Sequence, residues 1–123
     1  MRDQHDEIVH RFVWACRTGS GAALRAALDP DAVAICDGGG LLPAALSSVR
    51  GADDVADLVE LLLCRAPDGE LTVEAVNGRA GLALRRAGRA IAVVALASVE
   101  ARISALWIVL NPAKLRGWHS DAP

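Results

Sequence analysis

The residue that could best carry chemistry in this chain is the aspartate in the stretch AICDGGGLLP at positions 34–43. Asp37 ends an apolar run and is followed by three glycines, and a carboxylate in such a place could act as a general base. A phosphate-binding loop would need a lysine and a Ser or Thr after its last glycine, whereas leucines and a proline follow here. Asp37 is therefore the candidate catalytic residue. The glycines predict either a strand-end bend that needs positive φ angles or an open pocket mouth above Asp37.

Asp37 is also a candidate for contact with a ligand. Five further polar and aromatic residues are candidates for the same role: Trp14, Asn77, Arg79, Trp107 and Asn111. Trp14 on a predicted helix could line a cavity or cover the core, and Trp107 suits the core or a subunit interface. His10 lies beside the apolar stripe of the first helix and is a weak candidate for a base. His5 and His119 lie near the termini and are expected to be solvated.

Composition and charge restrict the classes of partner. The chain has 123 residues, which suits a single domain over 1–123, and its formal net charge of −2 gives no electrostatic footprint for nucleic acid. No apolar run reaches the length of a membrane span, and the charged start is unlike a signal peptide. Cys16, Cys36 and Cys64 are odd in number and far apart, which predicts reduced thiols, a cytoplasmic location and no zinc site. We expect neither a metal nor a cofactor.

Hydrophobic periodicity predicts an α+β fold. A stripe from Ile8 to Cys16 predicts one helix, and two further helices are predicted over 22–28 and 51–63. The period then changes to two, which indicates strands. The predicted strands are 32–36, 71–76, 81–86, 89–98 and 102–110, and the short links between the last four favour antiparallel pairs.

The last two predicted strands are apolar on both faces. A sheet with one solvated face should alternate apolar and polar residues. Three helices can cover one face only, so the other face, expected to carry Leu106, Ile108 and Leu110, needs another cover. The simplest cover is a second subunit, which predicts a homodimer through the sheet.

The order of these elements resembles the cone-shaped NTF2-like fold, in its SnoaL-like group. Three stretches sharpen the resemblance: DGGG at 37–40, VNGRAGLAL at 76–84 and RISALWIVLNPAKL at 102–115. Together they resemble the C-terminal domain of the SigJ-like group of extracytoplasmic-function sigma factors, where the domain regulates the promoter-binding regions. The chain is too short to hold those regions as well, so we expect a stand-alone relative.

The resemblance implies a curved antiparallel sheet, with about three helices packed on it around an apolar cavity. Three functions stay open: binding of a small hydrophobic molecule, possession of a small isomerase, cyclase or hydrolase activity, and interaction with a transcription-related protein. Ketosteroid-isomerase relatives need a tyrosine, which this chain lacks. Epoxide-hydrolase relatives need two carboxylates bridged by an arginine. Asp37 with Arg50 or Arg79 would supply part of that set, whereas Glu74 is expected to face solvent.

Overall fold

Three helices pack on one face of a six-stranded sheet. The structure, a computed structural model, describes residues 3–40, 43 and 46–119. In chain order the elements are α1 (Gln4–Thr18), α2 (Gly21–Ala27), β1 (Leu28–Asp37), β2 (Ser48–Arg50), α3 (Ala52–Val59), a π-helical turn (Glu60–Cys64), β3 (Glu70–Val76), β4 (Arg79–Arg86), β5 (Arg89–Val99) and β6 (Arg102–Val109). Two single 3-10 turns follow, Pro112–Lys114 and Arg116–Trp118.

Local sequence signals set the helix ends. The Asp3 carboxylate accepts from the Asp6 amide at the start of α1, and Gly19 ends that helix with a φ of 72°. Ser20 caps α2 through the Ala23 amide. The predicted third helix is α-helical only to Val59, because the chain then widens into the π-helical turn, where the Arg65 amide donates to the Glu60 carbonyl.

The strand order across the sheet is β2-β1-β6-β5-β4-β3. The four strands β3 to β6 form the predicted antiparallel meander, and each of its three turns has two residues at positive φ, as two-residue hairpins require. The expected α+β class is confirmed. The sheet is nevertheless mixed, because β1 pairs with β6 in parallel, and β2 is an additional short strand.

The face that packs against the helices, here called the inner face, carries the large aliphatic residues of the sheet. Leu106 and Ile108 are fully buried on it, together with Phe12 of α1. The expectation that Leu106, Ile108 and Leu110 lie on an uncovered face is therefore wrong. A bulge in the pairing of β5 with β6 lies between Ala97 and Ser98. It shifts the register, so that both Ile103 and Leu106 are buried.

The opposite face, here called the outer face, carries smaller side chains, and at one end it is covered by the segment of the two 3-10 turns. Leu115, between the two turns, and Trp118 of the second turn pack there against Ala90 and Val93. The carbonyl of Trp118 accepts a hydrogen bond of 2.8 Å from Nε of Arg85. Elsewhere on this face, among the described residues, Ile35 and Trp107 are 45% and 43% exposed.

The expectation of three reduced cysteines is wrong for two of them. Cys16 of α1 and Cys64 of the π-helical turn form a disulfide, with their Cα atoms 5.1 Å apart. Because the two cysteines are 48 residues apart in the sequence, no short motif indicated that they pair. Cys36 is free and buried, and its burial raises the pKa of its thiol. The cytoplasmic location, which rested on reduced thiols, stays a prediction.

Two histidines are also placed differently from the expectation. His5 is 4% exposed. Its Nδ1 lies 2.7 Å from Oγ of Ser98, and its Nε2 lies 2.9 Å from the Ala80 carbonyl oxygen. His119 is partly buried and accepts the Ala90 amide at Nδ1. Both rings therefore fix chain segments to the sheet instead of standing in solvent.

Candidate functional site

The candidate site is a groove on the outer face with a volume of about 480 Å³. It is here called the outer groove. The residues that line it are Val76, Asn77, Arg79, Val93, Ala95, Leu96, Trp107 and Val109. Its volume is in the range of small-molecule sites.

Pairing across the strands explains how the outer groove forms. Trp107 of β6 pairs with Ala95 of β5, and cross-strand partners point to the same face of a sheet. Ala95 contributes the smallest side chain of the lining, while the indole of Trp107 and the valines form its apolar walls. Gly81 lies next to one of these valines, since an added Cβ there would be 2.6 Å from Cγ2 of Val76.

The edge of the outer groove is the turn between β3 and β4. Asn77 and Gly78 form this turn with φ angles of 53° and 83°, and Arg79 starts β4. Asn77 and Arg79 are both exposed. Within the described part of the chain, neither side chain makes a hydrogen bond or an ion pair. The groove therefore combines apolar walls with amide and guanidinium donors at one end.

Asp37 and Asn111 form a second cluster next to the outer groove. Asp37 pairs with Val109 across the sheet, so both side chains are on the outer face. Oδ2 of Asp37 accepts from Nζ of Lys114 at 2.5 Å, and Oδ1 accepts the Gly39 amide at 3.1 Å. The ammonium of Lys114 is the main reason why the pKa of Asp37 lies below its usual value.

This cluster joins the two sequence stretches DGGG and NPAKL. Asn111 caps the first 3-10 turn by accepting the Ala113 amide. A Cβ at Gly39, whose φ is 61°, would lie 2.8 Å from the Asn111 side chain. The positive φ and the close approach together explain why this position is a glycine.

The sequence-predicted site residues therefore divide into three groups. Asn77, Arg79 and Trp107 line the outer groove, while Asp37 and Asn111 lie beside its Val109 end. Trp14 is apart from both groups. It is 61% exposed on α1, which packs on the inner face, and so it does not cover the core.

Glu74 is the outer-face acid that the sequence analysis expected to be solvated. It is partly buried, because both oxygens of its carboxylate accept from the Arg85 guanidinium and Oε2 also accepts from Thr72. The hydrogen bonds from Arg85 lower the pKa of Glu74 to about 2.

No second carboxylate is among the hydrogen-bond partners of Asp37 in the described residues. The same residues contain no cluster of His, Cys, Asp or Glu side chains that could hold a metal ion.

Comparisons with known proteins identify the fold and one sequence relative. No family model matches the chain. It is 31% identical to the extracytoplasmic-function RNA polymerase sigma factor SigJ of Mycobacterium tuberculosis, over 92% of this chain and 39% of that protein. The crystal structure of SigJ matches with a TM-score of 0.70 and 27% identity, over 94% of this chain and 45% of that one. The chain thus spans less than half the length of this relative.

Other solved structures share the fold at lower identity. An NTF2-like protein of unknown function from Burkholderia xenovorans matches with a TM-score of 0.62 and 12% identity, over 88% of this chain and 83% of that one. An epoxide hydrolase of the LEH-like type from Mycobacterium tuberculosis matches with a TM-score of 0.56 and 16% identity, over 91% of this chain and 86% of that one.

No helix in the described parts of the chain is both long and apolar enough to cross a bilayer. With its three helices on a curved sheet, the chain has the NTF2-like fold, and it is similar in sequence and structure to the C-terminal domain of SigJ.

Proposed function

We propose that this chain is a small-molecule-binding domain that holds a hydrophobic ligand in the outer groove. The observation that carries the proposal is the groove itself, a cavity of about 480 Å³ with the half-exposed Trp107 in its wall and Arg79 at its edge. A flat apolar ligand would stack on the indole ring and cover Val93 and Val109. Each 100 Å² of apolar surface removed from water would contribute roughly 2.5 kcal/mol before the costs of association.

The polar edge of the groove indicates the chemistry of the ligand. The guanidinium of Arg79 and the amide of Asn77 can both donate hydrogen bonds, and a charge-assisted bond contributes roughly 1.5–3 kcal/mol. A ligand with an apolar body and one carboxylate or carbonyl group fits this arrangement.

Binding is favoured over catalysis because of the state of Asp37. Its carboxylate is paired with Lys114, which lowers its pKa and makes it a weaker base. Its partners in the described residues are donors, so the two-carboxylate arrangement that activates water is not assembled there. A small isomerase, cyclase or hydrolase is therefore the weaker alternative.

The relationship to SigJ suggests the biological setting. SigJ is an RNA polymerase sigma factor, and this chain resembles its C-terminal domain. We place the ligand-binding domain in the cytoplasm, in the regulation of a transcription-related protein partner, without direct contact to nucleic acid.

Two fluorescent probes of similar shape test the site. 1-Anilinonaphthalene-8-sulfonate carries an anionic group, and N-phenyl-1-naphthylamine is its neutral counterpart. We expect Trp107→Ala to weaken the binding of both probes about tenfold or more, which corresponds to about 1.4 kcal/mol. We expect Arg79→Gln to weaken only the anionic probe. Trp14→Ala is the matched control, because Trp14 is exposed on the opposite side of the molecule. Unchanged binding of both probes to Trp107→Ala would contradict the proposal.

A homodimer through the outer face is the second candidate, and the exposure of Ile35 and Trp107 favours it. Its patch differs from the one that the sequence suggested, because Leu106 and Ile108 are in the core. Light scattering at micromolar concentration tests it, and Trp107→Glu should convert a dimer into a monomer. If a second copy covers the groove, probe binding per chain will fall as the protein concentration rises. A monomer mass that is independent of concentration would rule out the dimer.

A further inference from the structure

We propose that Cys16 and Cys64 form a reversible thiol–disulfide site that low-molecular-weight thiols reach through a surface cavity. The bridge joins α1 to the π-helical turn after α3. The site is on the helical side of the molecule and uses none of the residues of the outer groove.

The first argument is access. Both cysteines line a cavity of about 390 Å³, together with Arg17, Ala66, Gly69 and Glu70 among others. Cys16 itself is 4% exposed, whereas Cys64 is only partly buried. The Sγ atom of Cys64 is therefore the one that an attacking thiolate meets first.

The second argument is the backbone at Cys64. The turn Glu60–Cys64 is π-helical, and such turns add a residue to a helix and are frequent at functional sites. A regular α-helical continuation of α3 would place Cys64 at a different angle around the helix axis. The widened turn is thus part of what brings Cys64 to Cys16.

The third argument is the contrast with Cys36. Its thiol is buried in the main core, where burial raises its pKa and disfavours the reactive thiolate. Cys16 and Cys64 instead border a cavity edged by Arg17 and Glu70. Charges of both signs at its edge suit a zwitterionic thiol such as glutathione.

Thiol–disulfide exchange with glutathione takes two steps. A glutathione thiolate attacks Sγ of Cys64, the bond between the two protein sulfurs breaks, and Cys16 leaves as a thiolate that takes up a proton. A second glutathione thiolate then attacks the mixed disulfide and releases the Cys64 thiolate, which is protonated in turn. Two electrons and two protons pass to the protein, and two glutathione molecules become one glutathione disulfide. Glutathione disulfide reverses the reaction.

The decisive measurement is the rate at which reduced glutathione opens the bridge in the folded protein, followed by alkylation and mass spectrometry. After unfolding, the oxidised protein should contain one alkylated cysteine and the reduced protein three. We expect a tenfold rise in glutathione to give about a tenfold faster reduction, because the reagent attacks the native state. A rate that levels off with concentration would mean that the bridge opens only after unfolding, and it would overturn the proposal.

Single-cysteine variants locate the attacked sulfur. In Cys16→Ser the remaining Cys64 thiol should react with glutathione disulfide several times faster than the Cys16 thiol in Cys64→Ser. Cys36→Ser is the matched control and should leave the rate of bridge reduction unchanged. Equal rates at Cys16 and Cys64 would overturn the assignment of Cys64. Three free thiols after treatment of the folded, previously reduced wild-type chain with glutathione disulfide would overturn the site.

Discussion

The two faces of the sheet are made from the same strands, and they differ in what covers them. Leu106 on the inner face is 0% exposed, whereas its neighbour Trp107 on the outer face is 43% exposed. Successive strand residues point to opposite faces, so this difference follows from the direction of the side chain. The comparison teaches that apolar character alone does not distinguish a core from a candidate binding surface. The inner face has large aliphatic side chains under helices, while the outer face has smaller ones and a half-exposed aromatic wall.

The largest effect should come from truncating the inner face. Leu106→Ala removes buried methyl groups and leaves a cavity under the helices, which should cost about 2–5 kcal/mol of unfolding free energy. Trp107→Ala, one residue away, should cost less than about 1 kcal/mol, because the indole is half exposed. Urea denaturation at low protein concentration measures both. Similar losses at the two positions would show that the outer face is a second core and not an open surface.

A smaller effect should come from adding a methyl group at Gly81, next to the Val76 wall of the outer groove. A Cβ at Gly81 would lie 2.5 Å from the Val94 carbonyl oxygen and 2.6 Å from Cγ2 of Val76. Gly81→Ala should therefore cost about 1–3 kcal/mol through overpacking, and displacement of Val76 should weaken probe binding. Gly117→Ala is the control, because a Cβ there meets open space. If Gly81→Ala is as stable as the control and binds the probes unchanged, this position does not require a glycine.

The smallest effect should come from the ion pair on the outer face, and it depends on pH. The pKa of Glu74 is about 2 in the folded chain, compared with an ordinary value of 4.5. The pair with Arg85 therefore contributes its full stabilisation above about pH 4.5 and loses it as the pH falls towards 2. Glu74→Gln should cost about 1 kcal/mol at pH 7, since the pair is partly exposed and screened.

Denaturation of the Glu74→Gln variant at a series of pH values checks this prediction. Its difference from the unmodified chain should shrink below pH 4.5 and vanish near pH 2. Glu100→Gln, at an exposed turn position, is the control and should differ little at any pH. A Glu74→Gln difference that is constant with pH would show that the carboxylate charge does not stabilise this face.

Much of the fold could be predicted from the sequence because its signals are local. The stripe from Ile8 to Cys16, the stop at Gly19 and the two-residue turns such as Asn77-Gly78 depend on neighbours a few positions away. The fold family could also be predicted, since three separate motifs supported it. Of the candidate site residues, Asn77, Arg79 and Trp107 line one groove in the structure, and their role in binding stays a prediction.

The remaining features depend on contacts between distant parts of the chain, and the sequence pattern could not supply them. No turn joins β1 to β6, so their parallel pairing leaves no local signal. The pairing of Asp37 with Lys114 spans 77 positions, and the bridge from Cys16 to Cys64 spans 48.

The sequence by itself determined the helices and the meander, because periodicity, capping and turn residues act over short range. Only the tertiary structure decided which apolar face is the core, which acid is paired and which cysteines meet. Those outcomes depend on how side chains far apart in the chain share buried space, and the free energy of that burial is a property of the whole packed domain.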